Sequence, residues 1–188
     1  MKRIISIIMI FAMMFCFVSC KEKKASQPSA LHTVDIENYA KKGEIPESKY
    51  QIGQNIDELK FKLTEEAADT EHAGENSYYF DDSGEEGFIT YDAYAYYYKK
   101  GFEDKGITYL VSYEKAFGFE SGTVILEVEN VLKQYNYQEE DFNEKNSFFL
   151  YDPEGTILRV EFGKYTVLFA FVENGLSATA IYLTDDWK

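Results

Sequence analysis

Two histidines and two cysteines are this 188-residue chain's whole stock of the side chains that most often serve as neutral-pH general base, thiolate nucleophile or zinc ligand. His32 lies in a polar segment, and His72 lies in the polar run Thr70-Glu71-His72-Ala73-Gly74. Isolated histidines in such segments read as solvated side chains, not as a catalytic pair. Cys16 and Cys20 both fall in the N-terminal apolar region. The rest of the chain therefore has no material for a Cys-His dyad, a disulfide framework or a thiolate metal site. It carries no Gly-x-Ser-x-Gly elbow, no phosphate-cradling glycine loop and no His-Glu-x-x-His.

Carboxylates are the remaining candidates. Asp81-Asp82-Ser83-Gly84-Glu85-Glu86 is oxygen-rich, and its glycine permits a tight turn around a hard cation such as calcium. Its spacing is not that of an EF-hand loop, and it reads as a solvated charged turn. Glu139-Glu140-Asp141 reads as a polar insert. Carboxylates about 5–9 Å apart hydrolyse glycosides, but in a chain with 33 acids such pairs arise by chance. The expectation is that the chain is not an enzyme, with no metal and no cofactor. A carboxylate-based glycan hydrolase is the weakest alternative. The 33 acids face 19 bases, a net charge of −14, which makes nucleic acid a poor partner.

The N-terminus reads as an address. Lys2 and Arg3 precede an apolar run from Ile4 to Val18, which Ser19 and Cys20 close before Lys21-Glu22-Lys23-Lys24. The layout is that of a secretory signal and is short for a membrane span. A small residue followed by Cys resembles the bacterial lipobox, with Phe17 where Leu is usual. That resemblance implies cleavage before Cys20, a lipid on Cys20 and an extracytoplasmic, membrane-anchored location. Loss of Lys2 and Arg3 leaves 33 acids against 17 bases, a net charge of −16. The expected organisation is a signal peptide over 1–19 and a lipidated, polar tether over 20–44. Two folded repeats follow, over 45–116 and 117–188.

The repeats are read from two matching segments. Ile52-Gly53-Gln54-Asn55-Ile56 leads to Leu59 and Leu63, and Ser121-Gly122-Thr123-Val124-Ile125 leads to Val128 and Leu132. In each, a glycine precedes apolar residues at helical spacing. Four strand-like runs then follow each helix, rich in β-branched and aromatic residues and separated by turn residues. The first set is Ser77–Asp81, Gly87–Asp92, Tyr94–Lys99 and Ile107–Tyr113. The second is Ser147–Tyr151, Thr156–Phe162, Tyr165–Val172 and Ser177–Leu183. The expected fold class is α+β: two tandem repeats, each a short helix followed by a four-stranded antiparallel meander, with the helices on one sheet face.

Period-2 alternation assigns the faces. Tyr165, Val167, Phe169 and Phe171 share the helix-covered side with Leu158, Val160 and Phe162, since the opposite positions include Arg159 and Glu161. Transferring that phase places Ile89, Tyr91, Tyr94, Tyr96, Tyr98, Tyr109 and Val111 inward. The open face then carries Tyr79, Phe88, Thr90, Tyr97, Leu110, Phe149, Tyr151, Leu168 and Ile181. Exposed tyrosines bind protein or sugar at low entropic cost. Tyr79, Phe88, Tyr97, Leu110, Phe149 and Tyr151 are therefore the candidate binding residues.

The glycines before each helix, the hairpin glycines and the closing runs Thr108-Tyr109-Leu110-Val111 and Thr179-Ala180-Ile181-Tyr182 give the segment from Ile45 to Trp187 a resemblance. With the lipobox and tether, it resembles the beta-lactamase inhibitory protein architecture and the small SmpA/OmlA-type envelope lipoproteins. The resemblance implies two sheets that form a concave surface gripping another protein, although this chain lacks that inhibitor's disulfides. The expected function is a lipid-anchored, non-catalytic protein-binding module. The alternative is a structural or assembly lipoprotein of the cell envelope.

Overall fold

The computed structural model describes residues 32–67, 78–81, 86–101, 103–143 and 154–184. The chain divides into Met1–Leu31 and His32–Lys188, and every described residue belongs to the second unit. Cys20, Phe149 and Tyr151, the run Ser147–Tyr151 and the cluster 82–85 lie outside the described residues.

The described part is α+β, with three helices and an antiparallel sheet. Helix α1 spans Ile36–Ala40, α2 Ile56–Ala67 and α3 Ile125–Leu132. The strands are β1 Tyr78–Asp81, β2 Glu86–Tyr91, β3 Tyr94–Lys99, β4 Tyr109–Ser112, β5 Lys115–Ala116, β6 Phe119–Glu120, β7 Tyr137–Asp141, β8 Thr156–Phe162, β9 Tyr165–Val172 and β10 Gly175–Leu183. Eight of them form one sheet in the order β1-β2-β3-β4-β10-β9-β8-β7, and β5 and β6 form a separate two-stranded ribbon. β10 joins the two flanks, pairing antiparallel with β4 on one side and β9 on the other. None of the helices among the described residues is long and apolar enough to cross a membrane.

Local chemistry explains the helix starts. The Asp35 side chain accepts the Asn38 N–H at 3.1 Å to cap α1. The Asn55 side chain accepts the Glu58 N–H at 3.0 Å to cap α2, whose first turn carries Asp57 and Glu58 against the positive helix end. Ile56, Leu59 and Leu63 of α2 are buried on the sheet, as are Val128 and Leu132 of α3. Each helix is also tied to a later strand entrance by a reciprocal backbone pair. Gly53 N–H donates to Ile107 O at 2.7 Å and Ile107 N–H to Gln54 O at 2.9 Å. Gly122 N–H donates to Leu176 O and Leu176 N–H to Thr123 O, both at 2.8 Å. Gly53 and Gly122 share a φ of +84°.

The helix-covered face holds the main core. Ile89, Tyr96 and Tyr98 meet Leu158, Val160, Val167, Phe169 and Phe171 there, together with the helix residues. This is the expected phase for β2, β3, β8 and β9. Two strands depart from it. Leu110 of β4 and Ile181 of β10, expected on the open face, are fully buried on the helix-covered face. Tyr109 and Val111, expected inward, lie on the opposite face.

An extra residue causes each reversal. In β10 the register with β9 slips between Leu176 and Ala178, so Ser177 is a bulge that resets the alternation. At the start of β4, Thr108 donates its N–H to Tyr97 O at 2.9 Å while Tyr109 is the register partner of the same Tyr97. Two residues thus oppose one, and every side chain beyond changes face.

A third correction concerns β7. The run Glu139-Glu140-Asp141, expected as a polar insert, is strand, paired residue by residue with β8 from Tyr137↔Val160 to Asp141↔Thr156. Among the described residues it is an edge strand of the sheet, where charged side chains are tolerated and discourage further pairing.

Candidate functional site: an aromatic row on the second sheet face

The face away from the helices is organised by cross-strand register. One row runs Asp81↔Phe88↔Tyr97↔Tyr109↔Tyr182↔Thr166 across β1, β2, β3, β4, β10 and β9. Partners directly opposite stand close enough for ring contact. Phe88 and Tyr97 have centroids 5.4 Å apart at 30°. Tyr97 meets Tyr109 edge-on at 5.7 Å and 85°, and Tyr109 stacks on Tyr182 at 5.2 Å and 9°. The four rings form a continuous strip, using the offset and edge geometries that aromatic quadrupoles favour.

The strip runs from wetter to drier. Phe88 and Tyr97 are half-buried, whereas Tyr109 and Tyr182 are buried. Burial pushes the Tyr109 phenol well above the ordinary tyrosine range, with the neighbouring Tyr182 adding to the effect. Burial also raises Tyr182, opposed by the positive charge of Arg159 and a hydrogen bond with Thr166. Thr166 in turn shares a hydroxyl contact of 2.9 Å with Thr184. Arg159 itself is held between Glu161 at 2.8 Å and Glu140 at 3.6 Å.

Beside the strip, the centre of this face is small and dry. Ala95, Val111, Ala170, Ala178 and Ala180 are buried, and Tyr97, Tyr113 and Phe142 pack against them. The aromatic face expected to be open is therefore packed over much of its centre. Leu168 is 3% exposed here and belongs to a second packed cluster. Large rings packed against small residues account for that burial.

The structure brings together two of the sequence-predicted binding residues, Phe88 and Tyr97. Tyr79 is placed by backbone register alone, opposite Thr90 in the adjacent row. Leu110 is not part of this surface, since it pairs with Tyr96 on the helix-covered side. Tyr109 and Tyr182 complete the row and were missed. Their signal was present in the runs Thr108-Tyr109-Leu110-Val111 and Thr179-Ala180-Ile181-Tyr182, but the bulges at Thr108 and Ser177 concealed it from strict alternation. Among the described residues no group of three or more His, Cys, Asp or Glu side chains is placed to hold a metal ion. No family model, no curated protein and no solved structure matches this chain.

Proposed function

We propose that the chain is an extracytoplasmic bacterial lipoprotein, anchored through a lipid on Cys20, whose folded part is a duplicated, non-catalytic protein-binding module. The duplication is supported by the two reciprocal backbone pairs. Gly53, Gln54 and Ile107 make the same hydrogen bonds as Gly122, Thr123 and Leu176, at a constant offset along the chain. Strand order is consistent with it, since β4 and β10, the closing strand of each half, meet at the middle of the sheet.

The binding reading rests on one observation, the half-buried end of the aromatic row at Phe88 and Tyr97. These rings are pre-positioned by strands and by each other, so a partner covering them gains area at small ordering cost. Beyond them the row continues into rigid, buried rings that give the contact a fixed base. The anchor and the surface are tested separately. Metabolic labelling with a fatty-acid analogue is expected to mark the wild-type protein and to be lost in Cys20→Ala. Labelling that persists in that variant would overturn the anchor.

A further inference from the structure

The N-terminal edge of the folded unit carries a contact that neither the core nor the aromatic row requires. His32 lies flat on Phe119 of the β5–β6 ribbon, with centroids 4.4 Å apart and planes 15° off parallel. The turn of that ribbon, Phe117-Gly118, has positive φ at both residues, 52° and 83°. A Cβ at Gly118 would stand 3.2 Å from His32 Cε1 and 2.9 Å from Val34 Cγ2, so the segment rests directly on the turn. The Glu47 carboxylate holds the turn from another side, accepting Phe117 N–H at 2.9 Å and Gly118 N–H at 2.7 Å. His32 Nε2 is shielded from solvent and has no hydrogen-bond partner among the described residues. Downstream the chain is fixed by the buried Ile36 and Ala40 of α1.

We infer that His32–Val34 is an acid-released strap, docked on the β5–β6 turn while the His32 ring is neutral and lifted when that ring is protonated. An imidazolium at this place has to shed water without gaining an acceptor at Nε2. Glu47 is the charged group that acts on the ring, and its attraction favours protonation. Its carboxylate oxygens are already engaged by two backbone N–H groups. The other charges on the packed elements are Glu114, Lys115 and Glu120 around the ribbon, and Asp35 and Glu37 at α1. Burial outweighs the attraction of Glu47 and holds the His32 pKa below the ordinary 6.5. With the docked pKa lowered, the docking energy is fully present above 6.5 and is lost as pH falls through the docked value. Release would add three residues, roughly 10 Å of extended chain, to the reach between a lipid on Cys20 and α1. That consequence rests on the lipid anchor proposed above, whereas the strap does not.

The test is nuclear magnetic resonance of the full chain in detergent micelles between about pH 8 and about pH 5, the span in which imidazoles titrate. The chain has two histidines, so His32→Phe assigns the His32 resonance. The expected His32 midpoint lies below 6.5. The Gly118 and Phe119 amides should shift with that same midpoint. Hydrogen exchange at Gly118, corrected for its intrinsic pH dependence, should accelerate about tenfold or more at the acid end. In His32→Phe the ring still stacks but cannot titrate, so both pH effects should vanish. Glu47→Gln, which keeps an acceptor oxygen, should lower the midpoint further. A midpoint at or above 6.5, or exchange at Gly118 that is the same at both ends in the wild type, would overturn the strap, as would a His32→Phe protein that retains the wild-type acid response.

Discussion

At the scale of the residue, face decides consequence. Leu110 and Tyr97 are separated by a few residues in space and by the whole sheet in environment. Leu110 is fully buried opposite Tyr96 in the main core cluster. Leu110→Ala is expected to cost about 2–5 kcal/mol in chemical denaturation, the range for emptying a packed site. Phe88→Ala loses its ring contact with Tyr97 and partial burial, about 0.5–1.5 kcal/mol for that contact itself. Equal losses for the two variants would contradict the phase assigned to β4. Tyr94 supplies a second residue-scale prediction. Burial, then the charge of Glu47, pushes its phenol up from 10.0 to about 12. A raised folded value means that the neutral phenol's stabilisation is intact below 10 and is lost as pH rises toward about 12. Tyrosinate absorbance should therefore show a late-titrating fraction, and Tyr94→Phe should reduce both that fraction and the alkaline loss of stability.

At the scale of the element, much was legible and the failures have two causes. β3, β8 and β9 begin and end at the residues that alternation and turn chemistry indicated. Both helices follow the apolar spacing Ile56–Leu59–Leu63 and Ile125–Val128–Leu132. The β9–β10 hairpin was readable from Asn174-Gly175, although the positive φ falls on Glu173 and Asn174 and Gly175 already opens the strand. Bulges were not legible, because a single extra residue leaves composition unchanged while inverting every side chain beyond it. β7 was concealed for a different reason. Its Glu139-Glu140-Asp141 run has poor strand propensity, and its pairing comes from the backbone of β8 and from Tyr137 against the core.

Two element-scale predictions follow from the turns and bulges. Deleting Ser177 removes the reset in β10 and forces either Leu176 or Ile181 off the covered face. The circular dichroism of that variant should show loss of cooperative unfolding, and a normal transition would contradict the bulge. Gly106, with φ +71°, lies where a Cβ would collide with the Gln54 carbonyl, whereas Gly53, with φ +84°, faces open space. Gly53→Ala should cost about 1–2 kcal/mol of backbone strain, and Gly106→Ala should cost distinctly more.

At the scale of the molecule, the acidic excess and the aromatic excess separate. The charge collects on exposed surfaces: the edge strand β7, turns and helix starts. It serves solubility and discourages edge pairing. The aromatic residues divide between two packed faces of one sheet, and on the second face Phe88, Tyr97, Tyr113 and Phe142 stand half-buried among the described residues. That division makes the proposed binding surface narrow and the choice of control simple. Phe61 of α2 is 62% exposed on the helix layer. The most direct measurement is site-specific photocrosslinking in the native membrane, with a benzophenone side chain at Tyr97 or at Phe61 of otherwise wild-type protein. A binding module that uses the aromatic row should give a discrete crosslinked protein from position 97, competed by added wild-type domain, and none from position 61. No crosslink at 97, or the same products from both positions, would contradict it.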